Sequence, residues 1–93
     1  MNFGPDSYRL DGTLKGKGFL GPLKRPDGKV STELSIGVGF DGKERLIPSL
    51  VPTLDKKEID YLLKGGKTTK SIRDKAVDHA RKRMREGKGP FSD

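Results

Sequence analysis

The run Val30-Ser-Thr-Glu-Leu-Ser-Ile-Gly-Val-Gly-Phe40 places Val30, Leu34, Ile36, Val38 and Phe40 on even positions, with Thr32 between them. Apolar residues recurring at a period of two define a strand with one buried face. Asp27-Gly28-Lys29 stands directly before the run and Asp41-Gly42-Lys43 directly after it. Asp-Gly favours tight hairpin turns because both residues tolerate positive φ. The spacing therefore predicts the middle strand of a meander. Its other face would present Ser31, Glu33, Ser35, Gly37 and Gly39, a polar row followed by bare backbone. That row holds neither a nucleophile with an evident base nor a metal-ligand set.

The flanks fit the same plan. Phe19, Leu20 and Leu23 supply a first strand between Gly18 and about Lys24, with Gly21-Pro22 implying a bulge or an edge, since proline cannot donate to a central ladder. A third strand runs from Glu44 to about Leu50, and Pro48 and Pro52 again demand an edge or an extended exit. Residues 1–17 form an irregular arm from which Tyr8 and Leu10 are expected to dock on the sheet.

Helices follow. Asp55 is placed to cap a helix, Glu58 stands at N3 to complete a capping box, and Leu54 is positioned to staple onto Ile59. Gly65-Gly66 ends this helix. Thr69 caps a second one running to about Glu86, where Ile72, Ala76, Val77, Ala80 and Met84 recur at three- and four-residue spacing. The expected fold is α+β: a three-stranded antiparallel meander followed by two C-terminal helices packed on one face. The arm occupies 1–17 and a single domain occupies 18–91.

A chain of 93 residues buries only about 60–65% of its unfolded surface, so a deep catalytic pocket is hard to fit. With 30% hydrophobic and 35% charged residues, one thin core is expected. The absence of cysteine removes disulfides, thiolate zinc sites and cysteine nucleophiles together. No run is long and apolar enough for a membrane span, and the first twenty residues lack the apolar core of a secretory signal. Met1 reads as the start of a complete small gene product, with the host cytoplasm or an assembly built there as its place of action.

Several local patterns carry a chemical reading beside a structural one. Gly16-Lys17-Gly18-Phe19-Leu20-Gly21 matches a dinucleotide-binding glycine pattern, but Pro22 follows where a helix should open, so a glycine-rich edge is expected instead. Gly66-Lys67-Thr68 resembles the tail of a phosphate loop, yet Tyr61 stands where the leading glycine belongs. A helix-helix turn is the simpler reading. His79 is the one histidine, without a serine or threonine assigned to it by spacing, and is read as a surface or boundary residue. Asp74 and Asp78 are one turn apart, flanked by Lys70 and Lys82, which favours an ion-paired face over a cation site.

Charge is the remaining signal. Residues 1–53 carry 8 Lys/Arg and 6 Asp/Glu, whereas 54–93 carry 12 and 7, within a total of +7. Arg81, Lys82, Arg83, Arg85 and Lys88 cluster at the end of the second helix. There they complement the helix dipole. The same five are candidate phosphate contacts, compatible with a pI of about 9.8.

Several stretches together carry a resemblance: Tyr8-Arg-Leu-Asp-Gly-Thr13, Gly18-Phe-Leu-Gly21, Leu23-Lys-Arg-Pro-Asp-Gly28, Val30-Ser-Thr-Glu-Leu-Ser-Ile-Gly37, Ile47-Pro-Ser-Leu-Val-Pro-Thr-Leu54, Lys75-Ala-Val-Asp-His-Ala-Arg81 and Pro90-Phe91. Over most of residues 8–91 the chain resembles a small domain that recurs in tailed-bacteriophage genomes. That domain occurs alone and within large virion-associated polypeptides, some of which also contain a lytic transglycosylase domain. The resemblance implies a phage context and association with the virion or its ejected contents. It carries no catalytic signature, no residue role is transferred from it, and transglycosylase activity belongs to the neighbouring domain.

The expected function is that of a non-enzymatic phage protein, structural or accessory to the virion, acting through protein-protein contacts, with no cofactor or metal and with homo-oligomerisation open to it. The row Ser31, Glu33, Ser35, Gly37 and Gly39 is its candidate docking face. Two alternatives belong to other classes: a nucleic-acid-binding accessory that uses the basic helix end, and an early inhibitor of a host protein.

Overall fold

The computed structural model describes residues 8, 9, 12, 13, 16–40 and 42–91. Along the chain lie β1 (Leu23–Lys24), β2 (Val30–Ser31), β3 (Ser35–Phe40), β4 (Lys43–Pro48), α1 (Lys56–Leu63) and α2 (Lys70–Arg85). The α+β class is as expected. The three-stranded meander is not: the strands form two separate antiparallel pairs, β1 with β2 and β3 with β4.

The long alternating run is cut at residues 32–34. Leu34 adopts φ of 46°, a left-handed conformation that costs a non-glycine residue about 1–2 kcal/mol. Compensation comes from the chain beyond β4. Ser49 N–H donates to the carbonyls of Glu33 and Leu34 at 3.0 and 3.2 Å, Leu50 N–H donates to Glu33 at 3.1 Å, and the Ser49 hydroxyl also bonds the Leu34 carbonyl. The break reverses the phase of the alternation. Ser31 is buried, and Val30, expected to face the core, is 57% exposed.

Downstream of the break the expected phase holds. Register pairs Ile36 with Ile47, Val38 with Arg45 and Phe40 with Lys43 across the β3–β4 hairpin, so these six side chains share one face. Val38 and Ile47 pack there with Ala76 and Ala80 of α2. A second cluster joins Leu50, Val51, Leu54, Leu62 and Ile72, with Phe19, Leu20, Leu23, Leu34 and Ile59 against it. Thus α2 spans both clusters, while α1 belongs to the second. Ile47, Leu50 and Ile72 are almost fully buried, and each such side chain contributes about 1.5–3 kcal/mol.

Both helices begin and end as their sequences predict. Asp55 accepts from the Glu58 amide at 2.8 Å and Glu58 accepts from the Asp55 amide at 3.1 Å, completing the capping box of α1. Thr69 caps α2 through the Ile72 amide. The two C-termini close in the same way. Gly66 and Gly65 amides donate to Tyr61 and Leu62 carbonyls, and Lys88 and Gly87 amides donate to Arg83 and Met84 carbonyls. These pairs of bonds are Schellman motifs, each with a glycine at positive φ.

Described residues of the 1–17 segment bond to the strand break. Arg9 donates through Nε and Nη2 to the two Glu33 oxygens at 2.9 and 2.6 Å, and the Gly16 amide adds a bond of 2.9 Å to the same carboxylate. Gly18 passes so close that a Cβ would lie 2.0 Å from the Thr32 carbonyl oxygen. Within the glycine pattern of residues 16–21, Gly18 therefore serves close backbone approach to the strand break. Tyr8 is 46% exposed, and Leu10 lies outside the described residues.

Candidate functional site

Between the turn end of the β3–β4 hairpin and the last turns of α2 lies a groove of about 790 Å³. The hairpin contributes Phe40, Lys43 and Arg45, and α2 contributes Arg81, Met84 and Arg85. Arg81 and Arg85 reach the same side because they are one helical turn apart. Lys43 and Arg45 reach it because strand residues two apart share a face. Phe40 and Met84 form a half-buried apolar floor. The Arg81 guanidinium stands 5.6 Å from the Phe40 ring centroid, and Arg45 Nη1 lies 3.4 Å from the Met84 sulfur.

Glu44 also borders the groove, but it pairs with Gly39 on the opposite hairpin face. Its carboxylate lies over Gly37, where an added Cβ would meet Oε1 at 2.5 Å. The groove face is therefore cationic. Among the described residues, Lys43, Arg45, Arg81 and Arg85 have no carboxylate within ion-pair distance. Other cations are paired: Lys56 with Asp60 at 2.9 Å, Lys70 with Asp74 at 2.7 Å, and Lys75 with Glu58.

The structure distributes the five clustered cations of the helix end over different surroundings. Arg81 and Arg85 enter the groove. Arg83 turns away, donating to the carbonyls of Gly89 at 2.7 Å and Phe91 at 2.9 Å, with its guanidinium 4.9 Å from the Phe19 ring. Lys88 lies 3.7 Å from Glu86, and Lys82 is exposed outside the groove lining. Sequence reasoning missed Lys43 and Arg45 because only the hairpin register brings them beside α2.

The candidate docking row does not form one face. Ser31 and Glu33 are buried, with Glu33 at 1% exposure. Ser35 is half-buried, and its hydroxyl has no hydrogen-bond partner among the described residues. Gly37 and Gly39 are exposed. Glu33 instead closes a structural clamp, since the Arg9 guanidinium bonded to it also lies 3.7 Å over the Phe91 ring. That clamp ties Arg9, the strand break and Phe91 together. Nothing in the spacing announces it, because Arg9 and Glu33 are 24 positions apart.

His79 packs edge-on against Phe19 with ring centroids 4.5 Å apart. Burial holds its pKa below the ordinary value, Arg83 and Lys82 push in the same direction, and Glu86 opposes them. Across α1 and α2, the Lys75 ammonium is the leading cause of a lowered Glu58 pKa, assisted by the Asp55 amide and the Ser71 hydroxyl. A second opening of about 400 Å³ lies between the 25–27 turn, the strand break and the α1–α2 connection. It is lined by Arg25, Ser35, Ser49 and Thr68 among others, and Arg25 is already committed to Asp27 at 2.9 Å.

Among the described residues, no group of three or more His, Cys, Asp or Glu side chains is placed to hold a metal ion. No described helix is long and apolar enough to cross a membrane. No family model, curated protein or solved structure matches the chain.

Proposed function

We propose that the chain is a non-enzymatic component of a tailed-phage virion, structural or accessory, that works by binding another protein. The phage setting rests on the resemblance that runs over most of residues 8–91. The observation that carries the binding role is the groove between hairpin and α2, where four cations with no ion-pair partner among the described residues surround an apolar floor. Surface that combines unneutralised charge with accessible apolar groups is the usual composition of a recognition site. Quantitative mass spectrometry of purified virions tests the assignment. The chain is expected in multiple copies per particle, and its absence from particles while abundant early in infected cells would favour an inhibitor of a host protein.

A second reading, contact with nucleic acid, is favoured by the convergence of Lys43, Arg45, Arg81 and Arg85. Phosphate contacts of this kind release counterions, so affinity for duplex DNA should fall steeply between about 50 and 200 mM salt. Failure of the protein to retain duplex DNA at the lower salt rejects that reading.

A further inference from the structure

We propose that the groove seats an acidic segment of a protein partner, anchored by an apolar side chain over Phe40 and Met84; this rests on the protein-binding reading above and names the partner's chemistry. Three features of the groove point to such an occupant. The first is its charge. Lys43 and Arg45 on β4 face Arg81 and Arg85 on α2, and Glu44, the one described carboxylate of the lining, stands at its border and is ion-paired to none of the four. Like charges gathered in this way repel one another, so a neutralising partner gains from all four at once. The helix dipole accounts for cations on the last turns of α2. It does not account for the two on the hairpin.

The second feature is the floor. Phe40 and Met84 are only half-buried, and methionine adapts its shape to an incoming apolar group. A side chain such as leucine or phenylalanine would remove both from water. The sugar-phosphate backbone of a nucleic acid offers no comparable group. A stacked base would be the nucleic-acid alternative, but the Arg81 guanidinium already stands over the Phe40 ring.

The third feature is size and shape. About 790 Å³ lies within the range of about 300–1,000 Å³ that holds a compact ligand, enough for an anchor and its flanking carboxylates. The rim arginines can engage those carboxylates in two-point contact. The groove therefore selects for acidic residues on either side of one apolar residue.

Fluorescence anisotropy on the full chain tests this with three labelled probes: a peptide of about 12 residues alternating Glu/Asp with Leu and Phe, an oligoglutamate of equal length, and an oligonucleotide of matched charge. The anchored acidic peptide should bind most tightly. Arg81→Glu and Arg45→Glu should each weaken it by roughly tenfold or more, with Lys82→Glu as the control outside the groove and thermal melting to confirm folding. Tighter binding of the oligonucleotide would overturn the proposal in favour of nucleic acid. Equal binding of oligoglutamate would remove the apolar anchor, and unchanged affinity in folded groove variants would place any binding elsewhere; either result overturns the proposal as stated. Mass spectrometry of virions reads the virion assignment separately, so peptide binding without incorporation, or incorporation without peptide binding, identifies which of the two has failed.

Discussion

Replacing Glu33 by alanine should unfold much of what organises this domain. Glu33 and Arg9 have side chains only 1% and 6% exposed, and the carboxylate also receives the Gly16 amide. Removing the carboxylate takes from the buried guanidinium its bonds of 2.9 and 2.6 Å and from the Gly16 amide its acceptor, and breaking a buried pair in this way costs about 3–5 kcal/mol. Small domains have total stabilities of about 5–15 kcal/mol, so the loss is a large fraction of the whole. At this size each kcal/mol moves the melting temperature by about 4–8 °C, which gives an expected drop of about 12–40 °C. Circular dichroism melts in low and high salt are the assay. The drop should persist in about 1 M salt, because a buried pair is screened far less than an exposed one. The double substitution Arg9→Met with Glu33→Leu should recover most of the loss, since well-packed apolar residues replace a buried pair at little cost. A melting temperature for Glu33→Ala within a few degrees of wild type would refute the clamp, because an exposed pair is worth that little.

Gly18→Ala should cost more than about 2 kcal/mol in urea denaturation, since the residue combines positive φ with a Cβ clash against the Thr32 carbonyl. Gly21→Ala, at positive φ but in open space, should cost only about 1–2 kcal/mol. Loss of the α1 cap in Asp55→Ala should destabilise by about 1 kcal/mol in the same assay. His79 gives a pH signature. Its pKa is lowered in the folded chain from 6.5, so the unfolded chain takes up the proton first and stability falls as pH drops through that value. His79→Leu should flatten this part of the profile of melting temperature against pH, and an unchanged slope would show that burial of the imidazole is not its cause. Gly39→Ala meets no neighbour within 4 Å, so it should leave the melt unaltered and report cleanly, by virion incorporation, on whether the exposed glycine face touches a partner.

Helices were legible in the sequence because their signals are local. Asp55, Glu58, Thr69 and the terminal glycines act within one turn of their own positions, and the i, i+4 stripe of Ile72, Ala76 and Ala80 is the buried face of α2. The β3–β4 hairpin was legible for the same reason. The strand break was not, because Leu34 keeps the even-position alternation while its backbone departs from it. What turns the chain there is the long-range bonding of Glu33 to Arg9 and of the 33–34 carbonyls to Ser49 and Leu50, which leaves no periodic trace. The candidate site was half legible. Arg81 and Arg85 stood out in a basic run, but the difference between them and Arg83 depends on which way each side chain leaves the helix. Lys43 and Arg45 became part of the same surface only through register.

Incorporation through the groove is the central functional claim, and a phage carrying the Arg81→Glu, Arg85→Glu allele tests it most directly. Particles from wild-type and variant infections are compared by quantitative mass spectrometry, with the soluble level of the chain in the lysate measured alongside. The predicted result is multiple copies per wild-type particle and a loss of roughly tenfold or more in the variant, at equal soluble level. Equal copy numbers in the two particles would contradict the groove as the docking site, and absence from wild-type particles would contradict the virion assignment itself.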